Sequence, residues 1–228
     1  MTAMRYLAVA SDFDGTLAQD GHVEQEVLDI VRQVRASGRR FLLVTGRELP
    51  ELRATFPEVK ECDVVVAENG ALLYWPDTGE EVALGKPPNE QFMTEVVRRG
   101  VESYSVGRVI FATWRPQEVV IEQIIDELDL DYEVIFNKRA VMVLPRGVNK
   151  LTGLDAALRL LDIPPKKVIG LGDAENDLLF LKHCGYSVAV ANALPHVKSA
   201  CTHVTEADHG QGAMEVLSRL LADESQLA

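Results

Sequence analysis

Asp12 and Asp14 are residues whose type and spacing suit them to chemistry. They lie in Asp12-Phe13-Asp14-Gly15-Thr16, directly after the apolar run Tyr6-Leu7-Ala8-Val9-Ala10. The run reads as a buried strand, which puts both carboxylates at a strand exit, where open parallel α/β sheets bind ligands. Two carboxylates this close repel each other as anions. A bound cation relieves the repulsion, and Mg²⁺ suits the place because it prefers oxygen ligands and keeps some of its waters. A carboxylate beside Mg²⁺ can also attack phosphorus and form an aspartyl phosphate. The plain alternative is a turn built from Asp and Gly, with Thr16 capping the next segment.

Three further polar groups stand in comparable places. Thr45-Gly46-Arg47 follows the apolar run 40–44, and Gly172-Asp173-Ala174-Glu175-Asn176-Asp177 follows Val168-Ile169-Gly170-Leu171. Asp177 lies about one helical turn beyond Asp173 and on the same face. Lys150 follows Asn149 at the start of a helical pattern. A cation there opposes the helix dipole, so Lys150 does not serve that helix. Its charge suits a phosphoryl group in transfer, with a solvated surface lysine as the alternative. Glu68, Asn69 and Asn192 stand at other strand exits and are candidates to line the same cleft, although turn preference accounts for half of that signal.

The elements that must position these groups follow from periodicity. Val27, Ile30, Val31 and Val34 fall at helical spacing, and Gly38 stops the pattern. Residues 40–44 and 63–67 read as strands, and Pro50 suits the start of the helix between them. This alternation at short loop lengths predicts an α/β fold, a Rossmann-like, doubly wound parallel sheet. Residues 71–75 and 80–84 flank Pro76-Asp77-Thr78-Gly79 and read as a hairpin. From Lys86-Pro87-Pro88 to Pro145-Arg146-Gly147 the pattern changes. A helix near 90–99 precedes a strand at 109–113, a helix over Ile121, Ile124, Ile125 and Leu128, and short strands at 132–136 and 140–144. This predicts an inserted α+β cap subdomain of mostly antiparallel strands over 86–145, with 1–85 and 146–228 forming the core. The core pattern resumes with a helix over Leu151, Leu154, Leu158 and Leu161, strands at 168–171 and 187–190, and a last helix over Ala213, Val216, Leu217 and Leu220. Residues 223–228 read as a frayed tail.

Composition narrows the setting. The 228 residues are 47% hydrophobic and 25% charged, ordinary globular values. The formal charge of −12, from 35 acidic against 23 basic residues, disfavours nucleic acid and anionic membrane as partners. No basic segment followed by a long apolar one opens the chain, so neither signal peptide nor membrane span is expected. Cys62, Cys184 and Cys201 form no C-x-x-C pair and read as buried free thiols of a cytoplasmic protein rather than a disulfide or zinc site. His22, His183, His196, His203 and His209 lack metal-like spacing, and none is taken as catalytic. Trp114 reads as packing. Oligomeric state leaves no mark in the sequence.

With the four motifs in this order, the chain resembles the haloacid dehalogenase superfamily of phosphohydrolases. The insertion before Lys150 and the Glu68-Asn69-Gly70 turn resemble its Cof-type branch with an α/β (type IIB) cap, which includes archaeal-type phosphoglycolate phosphatases and sugar phosphatases. The resemblance implies a Mg²⁺-dependent phosphomonoester hydrolase acting on a small phosphorylated metabolite through an aspartyl phosphate. It makes Asp12 the nucleophile and Asp14 the general acid/base. Thr45, Gly46, Lys150 and Asn176 would bind the phosphoryl group or order its surroundings. Asp12, Asp14, Asp173 and Asp177 would hold the metal, Asp14 through its backbone carbonyl and Asp177 directly or through water. Arg47 receives no contact. Apart from the resemblance, Arg115, Lys138 and Arg139 are polar cap residues in loops or at strand ends that could face the substrate's second anionic or hydroxyl group, with a solvated loop as the favoured alternative for any one of them. A phosphomutase of the same superfamily and a non-catalytic phosphometabolite-binding module remain the alternatives.

Overall fold

The computed structural model describes residues 4–227. The chain opens with β1 (Ala8–Ser11), α1 (Gln25–Ala36), β2 (Arg40–Val44), α2 (Leu49–Thr55), β3 (Val64–Ala67), β4 (Leu72–Trp75) and β5 (Glu80–Ala83). There follow α3 (Glu90–Arg98), β6 (Ser105–Val106), β7 (Phe111–Trp114), α4 (Glu118–Glu127), β8 (Tyr132–Asn137) and β9 (Ala140–Pro145). The remainder is α5 (Lys150–Leu160), β10 (Val168–Gly172), α6 (Leu178–His183), β11 (Tyr186–Ala189), α7 (Pro195–Ala200), β12 (His203–Val204) and α8 (His209–Ala222).

The first and last groups build one eight-stranded sheet in the order β12-β11-β10-β1-β2-β3-β4-β5. It is parallel from β12 to β3, and β4 and β5 turn back antiparallel as the expected hairpin. Strand side chains alternate between two buried faces. Val9, Phe41, Leu43 and Val65 meet α1 and α8, whereas Ala8, Ala10, Leu42, Val44, Val64 and Val66 meet the α5 and α6 side. A sheet covered on both faces explains why these strands read as unbroken apolar runs. The middle group forms a separate antiparallel sheet, β6-β7-β9-β8. One face of that sheet, with Phe111 and Val143, packs on Phe92, Val96, Ile121 and Ile124 of α3 and α4.

The fold class is the expected one. The short elements β6, α6, α7 and β12 carry too few residues to show a period, and the sequence reading does not contain them. Residues 223–227 correct the frayed-tail expectation, while Ala228 lies outside the described residues. Leu227 is buried and its carbonyl accepts the Tyr6 hydroxyl at 2.9 Å, and Glu224 pairs with Arg39 at 2.9 Å. These partners lie more than 180 residues away in the chain, so no local signal announces them.

Candidate functional site

The strands β2, β1 and β10 are neighbours in the sheet, with Ser11 level with both Leu43 and Leu171. Their exits therefore lie side by side and bring Asp12, Thr45 and Asp173 to one edge. The chain winds from β1 outward through β2 and β3, then resumes with β10 on the other flank of β1. That is a topological switch point, where sheets of this kind leave a crevice. Gly15 permits the first loop to turn under Asp173: its φ is +90°, and a Cβ there would lie 2.5 Å from the Asp173 carboxylate.

Lys150 enters at the first turn of α5. Asn149 caps that helix by a capping box, its side chain accepting Thr152 N at 3.1 Å while Asn149 N donates to the Thr152 hydroxyl at 3.0 Å. The buried Lys150 ammonium donates to Asp12 Oδ1 at 2.5 Å and to Asp177 Oδ1 at 2.7 Å. Asp177 sits at the end of a 3₁₀ turn, Glu175–Asp177, and its other oxygen accepts Asp173 N and Ala174 N, both at 2.9 Å. This corrects the expectation of one helical face shared by Asp173 and Asp177: the two meet because the loop folds back on itself.

The two central aspartates have different surroundings. Asp12 is buried, and burial together with the Asp177 charge pushes its carboxyl well above the ordinary range, with Lys150 opposing. Asp14 is 40% exposed at its side chain and is gripped by Arg47, whose Nε and Nη2 donate to its two oxygens at 2.7 and 2.8 Å. Such a fork-to-carboxylate pair fixes orientation. Arg47 is thus the site residue whose contact the sequence did not supply, and its adjacency to Thr45-Gly46 was the available signal. Thr45 is buried, and its hydroxyl accepts Arg47 N at 3.1 Å.

Above this floor lies a cleft of about 700 Å³, lined from the core by Asp12, Asp14, Gly46 and Arg47 and from the second sheet by Ala112, Trp114, Lys138, Arg139 and Met142. The face of that sheet turned away from α3 and α4 is therefore the roof. Lys138, in the β8–β9 turn, reaches down to donate to Asp173 Oδ2 at 2.8 Å. Burial disfavours the charged form of Lys138, but the Asp173 bond outweighs it and the ammonium is held above its usual range. Asp173 is pushed up by its burial and by Asp177, with Lys138 opposing.

Several expectations need correction. Trp114 is 57% exposed and lines the cleft instead of packing. Arg115 points elsewhere, its guanidinium over the Phe136 ring at 4.6 Å. Glu68 and Asn192 do not line the cleft. Glu68 binds backbone N–H groups of residues 108–110, and Asn192 ties the loops, donating to Gly15 O at 2.7 Å and accepting His209 N at 2.8 Å. Asn69 and Asn176 are buried and bonded to each other, Asn176 Nδ2 donating at 2.9 Å. The three cysteines are free; Cys62 and Cys184 are buried, which raises their thiols to about 12, whereas Cys201 is only half-buried and its thiol is raised to about 11.

The donor set fits a divalent cation. Asp12, Asp173 and Asp177 each offer an oxygen, and these atoms lie within 4.8 Å of one another. Three buried carboxylates face two ammonium groups, leaving an excess of negative charge when all are ionised. Asn69 Nδ2 and Asn176 Oδ1 are also buried without partners, polar atoms that ordered water or a ligand would satisfy. The Asp14 carboxylate stands outside this cluster, on Arg47.

A family model described as haloacid dehalogenase-like hydrolase matches residues 9–113 and 109–217. The chain is 31% identical over 222 residues to a phosphoglycolate phosphatase of Methanothermobacter thermautotrophicus, covering 94% of this chain and 98% of that one. A phosphoglycolate phosphatase of Natronomonas pharaonis is 31% identical over 228 residues, covering 92% and 96%. Among solved structures, a haloacid dehalogenase-like hydrolase from Bacteroides thetaiotaomicron superposes with a TM-score of 0.79 at 19% identity, covering 94% of this chain and 99% of that one. A subclass IIB sugar phosphatase gives a TM-score of 0.71 at 18% identity, covering 87% and 92%. At these identities the structural matches speak to fold.

Proposed function

The chain belongs to the haloacid dehalogenase-like hydrolases, and from that membership we propose that it is a Mg²⁺-dependent phosphatase of small phosphorylated metabolites. Phosphoglycolate is the first substrate in this proposal, because the relatives that match nearly end to end carry that activity in their names. Sugar phosphates come next. The observation that carries the reading is convergence: a buried Asp12–Lys150–Asp177 group and the Arg47-held Asp14 meet beneath a roofed cleft.

Asp12 attacks the phosphoryl group and carries it as an aspartyl phosphate, and Asp14 protonates the leaving oxygen and then activates water. Arg47 holds both Asp14 oxygens, so this step requires it to give one of them up. Lys150 offsets the charge of the transferring group, and Thr45 and Gly46 present the β2 exit to it. Asp12, Asp173 and Asp177, with the Asp14 backbone carbonyl, would hold Mg²⁺. When bound, the metal supplies positive charge that keeps Asp12 ionised and offsets the phosphoryl oxygens. Lys138 and Arg139, which line the cleft from the second sheet, meet the substrate's second anionic or hydroxyl group.

Residues 86–145 act in this proposal as a cap over a core of 1–85 and 146–228, hinged near 84–88 and 144–147, in a cytoplasmic protein. The test is phosphate release across phosphoglycolate, sugar phosphates and other small monoesters, with EDTA and then with Mg²⁺ restored. Full release in metal-free buffer, or release from none of the panel, would overturn the assignment.

A further inference from the structure

Glu68 is a fully buried carboxylate that the chemistry above leaves unused. Its oxygens accept three consecutive backbone N–H groups from the inserted segment: Arg108 at 2.8 Å, Val109 at 2.8 Å and Ile110 at 3.0 Å. Successive N–H groups converging in this way form an anion-binding concavity. Here the anion belongs to the protein. Gly107 N donates to Ile110 O at 2.8 Å and closes the turn that aims them. Among the described residues no basic side chain forms an ion pair with Glu68, and the Arg108 guanidinium goes to Glu81 at 3.1 Å. The backbone N–H groups supply the compensation that a buried charge requires.

The backbone bends sharply at this contact, where Gly70 also comes close against Asn149 at the start of α5. Glu68 and Asn69 have φ of +51° and +54°, in a region that L residues seldom occupy, and Gly70 follows at +105°. On the other side, residues 107–110 lead directly into β7, whose Ala112, Thr113 and Trp114 line the cleft and whose Ala112 pairs with Met142 of β9. Both chain crossings pass the same place. A Cβ on Gly85 would lie 3.0 Å from Pro145 Cγ and 3.0 Å from Val109 Cγ1.

We propose that Glu68 is a positioning residue, a fixed pivot that clamps residues 107–110 to the core while the rest of 86–145 swings about it. By holding that point it sets how far the β7–β9 roof and Lys138 stand from Asp12. The kinetic consequence rests on the phosphatase reading, whereas the clamp itself does not.

Two variants attack the clamp from opposite sides. Glu68→Gln removes the charge and sets an amide NH₂ against N–H donors. Gly107→Ala leaves Glu68 in place, but its Cβ would stand 2.6 Å from Glu68 Oε1 and displace the carboxylate, at a residue whose φ lies outside the left-handed region. Hydrogen exchange followed by mass spectrometry should show residues 108–110 exchanging about 10-fold or more faster in both, with β1, β2 and β10 unchanged and the double variant no faster than either. In phosphate release, KM for the best substrate should rise about 3- to 10-fold with kcat changed less. Unchanged exchange at 108–110, an increase spread equally over the core strands, or faster local exchange with unaltered KM would each overturn the pivot. If Glu68→Gln does not fold, Gly107→Ala and Glu68→Asp read the same backbone groups. Should the unsubstituted chain release no phosphate, the exchange data still decide the clamp, and it is the phosphatase reading that fails.

Discussion

Asp12 and Asp14 are two residues apart and chemically alike, so the different roles proposed for them rest on their surroundings. Asp12 is buried on Lys150, while Asp14 is partly open and held by Arg47. With acetyl phosphate, whose leaving group needs little protonation, Asp14→Asn should accumulate a phosphoryl adduct on Asp12, detected by mass spectrometry of quenched protein, and Asp12→Asn should carry none. An adduct that persists in Asp12→Asn would move the nucleophile elsewhere. Lys150 offers a second test at this scale. Its buried ammonium serves two buried carboxylates, and although burial disfavours the charged form, Asp12 and Asp177 hold it above its usual range. Lys150→Met leaves that pair uncompensated and should cost about 3–5 kcal/mol in urea denaturation. A loss under about 1 kcal/mol would mean that the pair neutralises or hydrates without Lys150.

At the scale of elements, Asp63 shows how strand ends are fixed. It stands just before β3, where its carboxylate accepts Phe41 N of β2 at 2.8 Å and pairs with Arg35 of α1 at 3.1 Å and Arg40 at 2.9 Å. Burial alone would raise the Asp63 carboxyl, but the Phe41 N–H bond and the two arginines outweigh it and hold it below the ordinary range. A lowered folded-state value means stability that is present above the unfolded pKa and lost as pH falls through the folded one. Asp63→Asn should therefore cost about 1–3 kcal/mol at neutral pH and less in acid, measured as urea midpoints from pH 7 to pH 3. Equal losses at both ends would assign the effect to shape instead of charge. The helix between β1 and β2 was legible because Val27, Ile30, Val31 and Val34 repeat at its period and all four are buried. Elements of six residues or fewer, such as α6 and α7, hold less than two turns and leave no such repeat.

For the whole molecule, the excess of buried negative charge at Asp12, Asp173 and Asp177 should make stability depend on a divalent cation. Mg²⁺ bound only by the folded chain stabilises by mass action, about 2.7 kcal/mol at a hundredfold excess over its dissociation constant. Tm should rise with Mg²⁺ and fall back with EDTA, and Asp173→Asn should abolish the response. A Tm indifferent to Mg²⁺ in the unsubstituted chain would sink the metal reading. The cleft between two sheets carries a companion expectation. Structures with and without a phosphate analogue should differ mainly by rotation of residues 86–145, with residues 107–110 staying on Glu68. A roof that stays fixed in both would rule out a moving lid.

The sequence by itself determined what is written locally and repeated. Apolar runs broken by helical periods specify a doubly wound sheet, and polar motifs that each follow a strand must emerge at that sheet's carboxyl edge. Asp12, Thr45 and Asp173 were legible for this reason, since parallel strands that are neighbours put their exits together whatever else the chain does. Only the tertiary structure decided which side chains meet across long separations. Lys138 on Asp173, Arg47 on Asp14 and Glu68 on residues 108–110 join positions 33 to 42 residues apart. Nothing in local propensity encodes such pairs, because a hydrogen bond depends on where two backbones come to rest. The same reason separates Trp114 from Phe111 on one strand: alternation predicts opposite faces, but only the packing of α3 and α4 decides which face is core and which roofs the cleft.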